Sequence, residues 1–139
     1  MGAVVVSDPM RVLTFVRRYM HVAAAEGMKG IGLERDGELT AGVLYEGFNG
    51  RSMWMHVAAN PGGRWLTREF LRYCFHYPFV EAGVDRVFGW VDAANAAARR
   101  FDEHLGFKPV AVIPGASRTG GEVVVYAMNK SECRYVDPQ

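Results

Sequence analysis

The chain has 139 residues, half of them hydrophobic and 22% charged, a balance that excludes a disordered chain and suffices for a buried core. A formal net charge of +1 argues against a dedicated nucleic-acid binder, which carries a basic surplus. Cys74 and Cys133 are too few and too far apart for a disulfide framework or a zinc site, so no metal is expected. No apolar run reaches the ~18 residues of a membrane helix, and the N-terminus lacks a signal-peptide pattern. The composition reads as one soluble, cytoplasmic domain spanning residues 1–139, with both thiols idle.

"VVVSDP" reads as a short strand followed by a helix start, where Ser7 or Asp8 caps and Pro9 suits the first turn. Val12, Leu13, Phe15, Val16, Tyr19 and Met20 recur at helical spacing and predict a helix to about residue 24. Two strands then flank a tight turn at Asp36-Gly37, and Asn49-Gly50 leads into a third, "SMWMHVA". After "NPGG", Phe70, Leu71, Cys74 and Phe75 form the apolar stripe of a helix from about Trp65 to Tyr77, with Pro78 near its end. "DRVFGWV" is a buried central strand. A helix follows, and "KPVAVI" and "EVVVYAM" close the chain as two strands joined by a loop of mobile composition, "PGASRTGG". The order β-α-β-β-β-α-β-α-β-β makes an α/β fold with a mixed sheet.

On the third helix, Ala94, Ala97, Ala98, Phe101 and Leu105 share the core side, while Asn95, Arg99 and Asp102 form a neighbouring polar stripe. Arg100, Glu103 and His104 point further away. Read by themselves, Asn95 is a helix cap and Asp102 a solvated partner of Arg99 or Arg100.

The run from Asn95 through Ala98, Phe101 and Leu105 to Gly106-Phe107, set between two strands, resembles the C-terminal motif of the Gcn5-related N-acetyltransferases (GNAT). Together with the element order, the resemblance covers about residues 4–130. It implies a mixed, largely antiparallel sheet flanked by helices, and an acyl-coenzyme A-dependent N-acyltransferase with acetyl-coenzyme A as co-substrate. The acceptor would be an amine of a small molecule or protein, and a homodimer would be in keeping with the family.

The resemblance also implies site residues. Asn95 is carried over as a contact to the pantetheine arm. Backbone N–H groups near Val57 and Ala58 would polarise the thioester carbonyl. The family's Arg-Gly-x-Gly-x-Gly phosphate loop falls on "VAANPGGRWLTREF", where Gly62 replaces the Arg, Gly63 survives, and Trp65 and Thr67 occupy two glycine positions. Gly62 and Gly63 would offer amides, Arg64 and Arg68 would neutralise phosphate, and Thr67 would cap the helix or bind phosphate.

For the base, His56 lies at the right end of its strand, and an imidazole is suited to proton transfer near neutral pH. Glu46 and Tyr45 are comparable candidates. Asp92 and Trp90 would line the acceptor side, and Tyr45, Phe48, Trp54, Trp65 and Trp90 are candidate pocket walls. Where many relatives place a Tyr that protonates the departing thiolate, this chain has Asp102, which supplies a proton only if burial raises its pKa. Two alternatives stay open: a binding protein that keeps the fold without the coenzyme site, favoured by Trp65, Thr67 and Asp102, and a transferase using another donor.

Overall fold

The structure is a computed structural model that describes residues 2–62 and 67–137. Its elements run β1 (Val4–Ser7), α1 (Pro9–Val16), β2 (Lys29–Arg35), β3 (Glu38–Glu46), β4 (Ser52–Ala59), α2 (Arg68–His76), β5 (Arg86–Asp92), α3 (Ala96–Leu105), β6 (Lys108–Ile113) and β7 (Val123–Asn129). A π-helical turn over Tyr77–Glu81 extends α2, and a short 3-10 turn over Lys130–Glu132 follows β7. This is the element order expected from the sequence.

The seven strands form one sheet in the order β1-β2-β3-β4-β5-β7-β6, antiparallel throughout except between β4 and β5. The predicted turns hold: Asp36 and Gly37 both have positive φ, 52° and 83°, as a two-residue hairpin requires. At the next turn the Asn49 side chain accepts from the N–H groups of Arg51 and Ser52.

Side-chain alternation sorts the core into two layers. On one face α2 and α3 cover Tyr45, Met53, Met55, Val87, Val91, Tyr126 and Met128. On the other, α1 places Val12, Leu13, Phe15 and Val16 against Leu39, Leu44 and Ala58. The seat of α1 is floored by glycine, because a Cβ on Gly30 would come within 2.9 Å of Val12 Cβ and one on Gly42 within 2.9 Å of Val12 Cγ1. β6 ends the sheet with all six residues exposed.

Three expectations are corrected. α1 stops at Val16, well short of residue 24, because the chain tightens into i→i+3 bonds from Arg18 and Tyr19. Arg17 Nε then donates to the Val22 carbonyl at 3.0 Å, turning Val22 back into the α1 cluster. The second correction is α2, which begins at Arg68 and continues through Pro78 as the π turn, with Ala82 N–H donating to Tyr77 O. Lastly, the β6–β7 loop is tied down. Ser117 is buried, and its hydroxyl donates to Asp92 Oδ2 at 2.7 Å.

Pro78 also explains Tyr45. A proline has no N–H to give the carbonyl four residues back, which is that of Cys74. The Tyr45 hydroxyl crosses from β3 and donates to that carbonyl at 2.5 Å. Tyr45 is therefore a core residue, 1% exposed, and neither a base nor a pocket wall. Cys74 and Cys133 are both free and buried, and burial pushes the Cys74 thiol far up. Tyr45→Phe would take this donor from the buried Cys74 carbonyl; a loss of about 1–3 kcal/mol in urea unfolding is expected, and unchanged stability would contradict this role.

Candidate active site

The sheet opens at its centre. β4 and β5 pair in parallel over only three positions, Ser52↔Arg86, Met53↔Val87 and Trp54↔Phe88. Beyond them β4 stays with β3 as far as Ala41↔Ala59, while β5 stays with β7 as far as Asp92↔Val123. Met55–Ala59 and Gly89–Asp92 therefore flank a wedge. In a strand, alternate backbone N–H and C=O groups point to each side, so each of these segments turns polar backbone toward the wedge.

Val57 and Ala58 lie on the β4 flank. Val57 packs toward the α2–α3 layer and Ala58, 6% exposed, toward α1. Past the strand, Gly62 has φ +70° and open space where a Cβ would be. Gly63, Arg64 and Trp65 lie outside the described residues. Thr67 caps α2, its hydroxyl accepting from Phe70 N–H at 3.1 Å, and leaves Arg68 exposed in the first turn. Asn95 caps α3 in the same way, its Oδ1 accepting from Ala98 N–H at 3.1 Å, and stays exposed.

His56 and Glu46 come together. Leu44 pairs with His56 and Glu46 with Trp54, so both side chains stand on the α1 face, and His56 Nε2 lies 2.8 Å from Glu46 Oε2. Beside them Trp54 packs on Phe88 with centroids 5.1 Å apart and on Trp90 at 6.2 Å. Gly47, with φ +70°, lies against the indole edge, where a Cβ would come within 3.0 Å of Trp54 Cδ1. Glu46, His56, Trp54 and Trp90, with His21 and Val22–Ala25, line a cavity of about 400 Å³. Of the aromatics expected to wall the pocket, Trp54 and Trp90 do so, whereas Phe48 is exposed and does not line it.

Asp102 lies on the opposite face and is not solvated as its place on a polar stripe suggested. The inward side of α3 is Ala98, Phe101, Asp102 and Leu105, whereas Ala94 and Ala97 are exposed. Asp102 lies over β5 at Gly89, where a Cβ would stand 3.0 Å from its Oδ2. Burial, with the charge of Glu103 adding to it, pushes this acid up to about 7. Glu103, expected to point away, turns toward the sheet. Tyr126 is buried in β7, and its hydroxyl donates to Glu103 Oε2 at 2.7 Å and accepts from Arg99 Nε at 3.3 Å.

Asp92 does a different task from the one expected. Its Oδ1 accepts from Ala94 N–H and its Oδ2 from Ser117, and these bonds hold its carboxyl below the ordinary range. It fixes the β6–β7 loop at the mouth of the wedge. Sequence reasoning passed over Gly89, although a lone glycine in a β-prone run is the mark of a close approach. It also missed the segment Val22–Ala25, most of which the helical spacing to about residue 24 had placed in a helix.

No protein-family model and no curated protein matches this sequence. Solved structures do match the fold. The spermidine/spermine N-acetyltransferase SpeG from Vibrio cholerae, in mutant form, superposes with TM-score 0.74 at 12% identity, covering 94% of this chain and 96% of that one. A dodecameric spermidine N-acetyltransferase from the same organism superposes with TM-score 0.76 at 12% identity, covering 93% and 94%. A probable acetyltransferase gives TM-score 0.65 at 19% identity over 77% of this chain and 64% of the other. The fold is that of the Gcn5-related N-acetyltransferases. In this GNAT-type sheet the opening between β4 and β5 is the central feature, and no described helix is long and apolar enough to cross a membrane.

The Asp102 acid sets a pH dependence. In the ordinary carboxylate range, near pH 4, an unfolded Asp begins to ionise, while the folded protein holds its proton to about 7. The folded state then binds more protons, so this contribution to stability, full below about pH 4, is lost as pH rises to about 7. Asp102→Asn should remove that decline, as read from urea unfolding at about pH 4 and pH 8. An identical pH dependence in both proteins would contradict the burial of an acid here.

Proposed function

We propose that the protein is an acyl-coenzyme A-dependent N-acyltransferase, with acetyl-coenzyme A as donor and direct transfer to an amine. The observation that carries this reading is the wedge between β4 and β5, with a hydrogen-bonded Glu46–His56 pair on one face and a proton-holding carboxyl on the other. The extended, amide-bearing pantetheine arm suits a cleft flanked by polar backbone. Backbone N–H groups about Val57 and Ala58 would polarise the carbonyl, and Asn95 would use the amide group not engaged in capping. Gly62, the N-terminal turn of α2 with Arg68, and Gly63, Arg64 and Thr67 of the same loop would receive the phosphates.

The proton path follows from the two faces. If Nε2–H of His56 donates to Glu46, the lone pair resides on Nδ1, which takes a proton from the acceptor's ammonium so that the free amine attacks. The amine nitrogen bonds to the acyl carbon as the carbon–sulfur bond breaks. Asp102, neutral near pH 7 in part, returns a proton to the leaving thiolate, so that acid and base act from opposite faces. A thioester supplies the activated acyl group. The dodecameric assembly of the Vibrio protein and the exposed edge strand β6 support a homo-oligomer.

A binding protein that has lost the coenzyme site is the competing reading, since Thr67 stands in a glycine position of the phosphate loop. Isothermal titration with acetyl-coenzyme A separates the two: binding in the micromolar range is expected, and no heat at high micromolar concentration would sink the donor assignment. In an assay of free thiol release, Glu46→Gln and His56→Gln should each lower kcat/KM by about 10²–10⁴-fold. The double variant should be no worse than the weaker single, as for groups acting as a unit. Additive losses would contradict a coupled pair.

A further inference from the structure

The pocket on the α1 face has an unequal supply of chemistry. Its lining holds two indoles, Trp54 and Trp90, the small apolar stretch Val22–Ala25, two imidazoles and a single carboxylate, Glu46. That carboxylate is already engaged by His56 at 2.8 Å. Among the described residues that line it there is no Lys or Arg to hold a carboxylate or phosphate on the acceptor.

Trp90 is the unusual member. It is 45% exposed, although an indole placed on a sheet face is normally covered. Its ring is set edge-on to Trp54 at an interplanar angle of 63°, and Trp54 is itself braced by Phe88 and by the close approach of Gly47. Two rigid aromatic rings meeting at an angle present a flat wall and an edge, a geometry that takes a planar apolar group and an adjacent cation. The volume, about 400 Å³, matches a small ligand and not a folded partner.

Resting on the acyl-transfer reading, we infer that the acceptor is a primary monoamine bearing an aromatic or flat apolar group. The ammonium end approaches the Glu46–His56 pair, where it loses its proton, and the ring lies on Trp90 and Trp54. A polyamine, the substrate named for the structurally similar Vibrio enzymes, carries further ammonium groups that find no second carboxylate among the described residues of this pocket. Desolvating such a charge without a partner is costly, and leaving it in solvent gains nothing. A carboxylated amine fails for the complementary reason. The selectivity is thus set by what the walls lack as much as by what they carry.

The test uses the full chain with acetyl-coenzyme A and follows free thiol release with 2-phenylethylamine, tryptamine and spermidine. The aromatic amines should exceed spermidine by at least about tenfold in kcat/KM. Trp90→Ala, a partly exposed position, should cost the aromatic amines about tenfold, as expected for one cation–π and stacking partner. Spermidine turned over as well as the aromatic amines would overturn the acceptor class and leave acyl transfer standing. A second measurement, titration of 2-phenylethylamine by calorimetry without donor, tests the pocket independently of turnover. Binding weakened in Trp90→Ala supports it. No binding, or binding indifferent to Trp90, overturns it. Binding of the amine without any thiol release would instead count against the acyl-transfer reading.

Discussion

Everything about this molecule turns on one interruption of hydrogen bonding: β4 and β5 pair at Trp54↔Phe88 and then part. A strand interior to a sheet normally satisfies both edges, and unpaired backbone is costly when buried. Here each strand keeps its outer partner, β3 for β4 and β7 for β5, so neither flank unravels. Two internal edges remain, facing each other across a wedge. Such edges demand hydrogen-bonding partners, and an extended amide-containing ligand would supply them as a strand does.

The alternation of side chains then divides the chemistry. Even-numbered residues of β4, such as His56, look toward α1, whereas Gly89 of β5 looks toward α3. The Glu46–His56 pair and Asp102 are thereby kept apart by the sheet itself. Their environments differ accordingly. Glu46 has an imidazole partner, while Asp102 stands over a glycine with Glu103 as its neighbour in charge, so one carboxylate is engaged and the other is driven toward its neutral form. The same chemical group thus meets two different surroundings on the two faces. Asp92, a third carboxylate nearby, spends both oxygens on the backbone of Ala94 and the hydroxyl of Ser117, and becomes a brace for the loop at the mouth.

Much of the frame was legible because it is local. Asp36-Gly37 and Asn49-Gly50 announce turns by their conformational freedom, and Gly106, with φ 112°, caps the end of α3 in the left-handed conformation that suits a glycine. Asn95 kept the capping role that its residue type suggests. What escaped was set by contacts between distant segments. The helical spacing of Tyr19 and Met20 could not reveal that Arg17 binds the Val22 carbonyl and ends the helix early. The need for Tyr45 arises from Pro78, 33 positions later, through the carbonyl of Cys74. Asp102 on a helical wheel sits beside arginines; only the absence of a side chain at Gly89 creates the space into which it turns. The Glu46–His56 contact was within reach of the sequence, since a hairpin register places the two on one face, but fixing that register required the strand pairing.

The most direct measurement of the central claim is amide hydrogen exchange with and without saturating acetyl-coenzyme A. If the wedge receives the donor, exchange slows in Met55–Ala59 and at the start of α2, while β1 and β2, on the far side of the sheet, are unchanged. Exchange unaltered in Met55–Ala59 under conditions where the donor binds would contradict the account, because the site would then lie elsewhere on the fold.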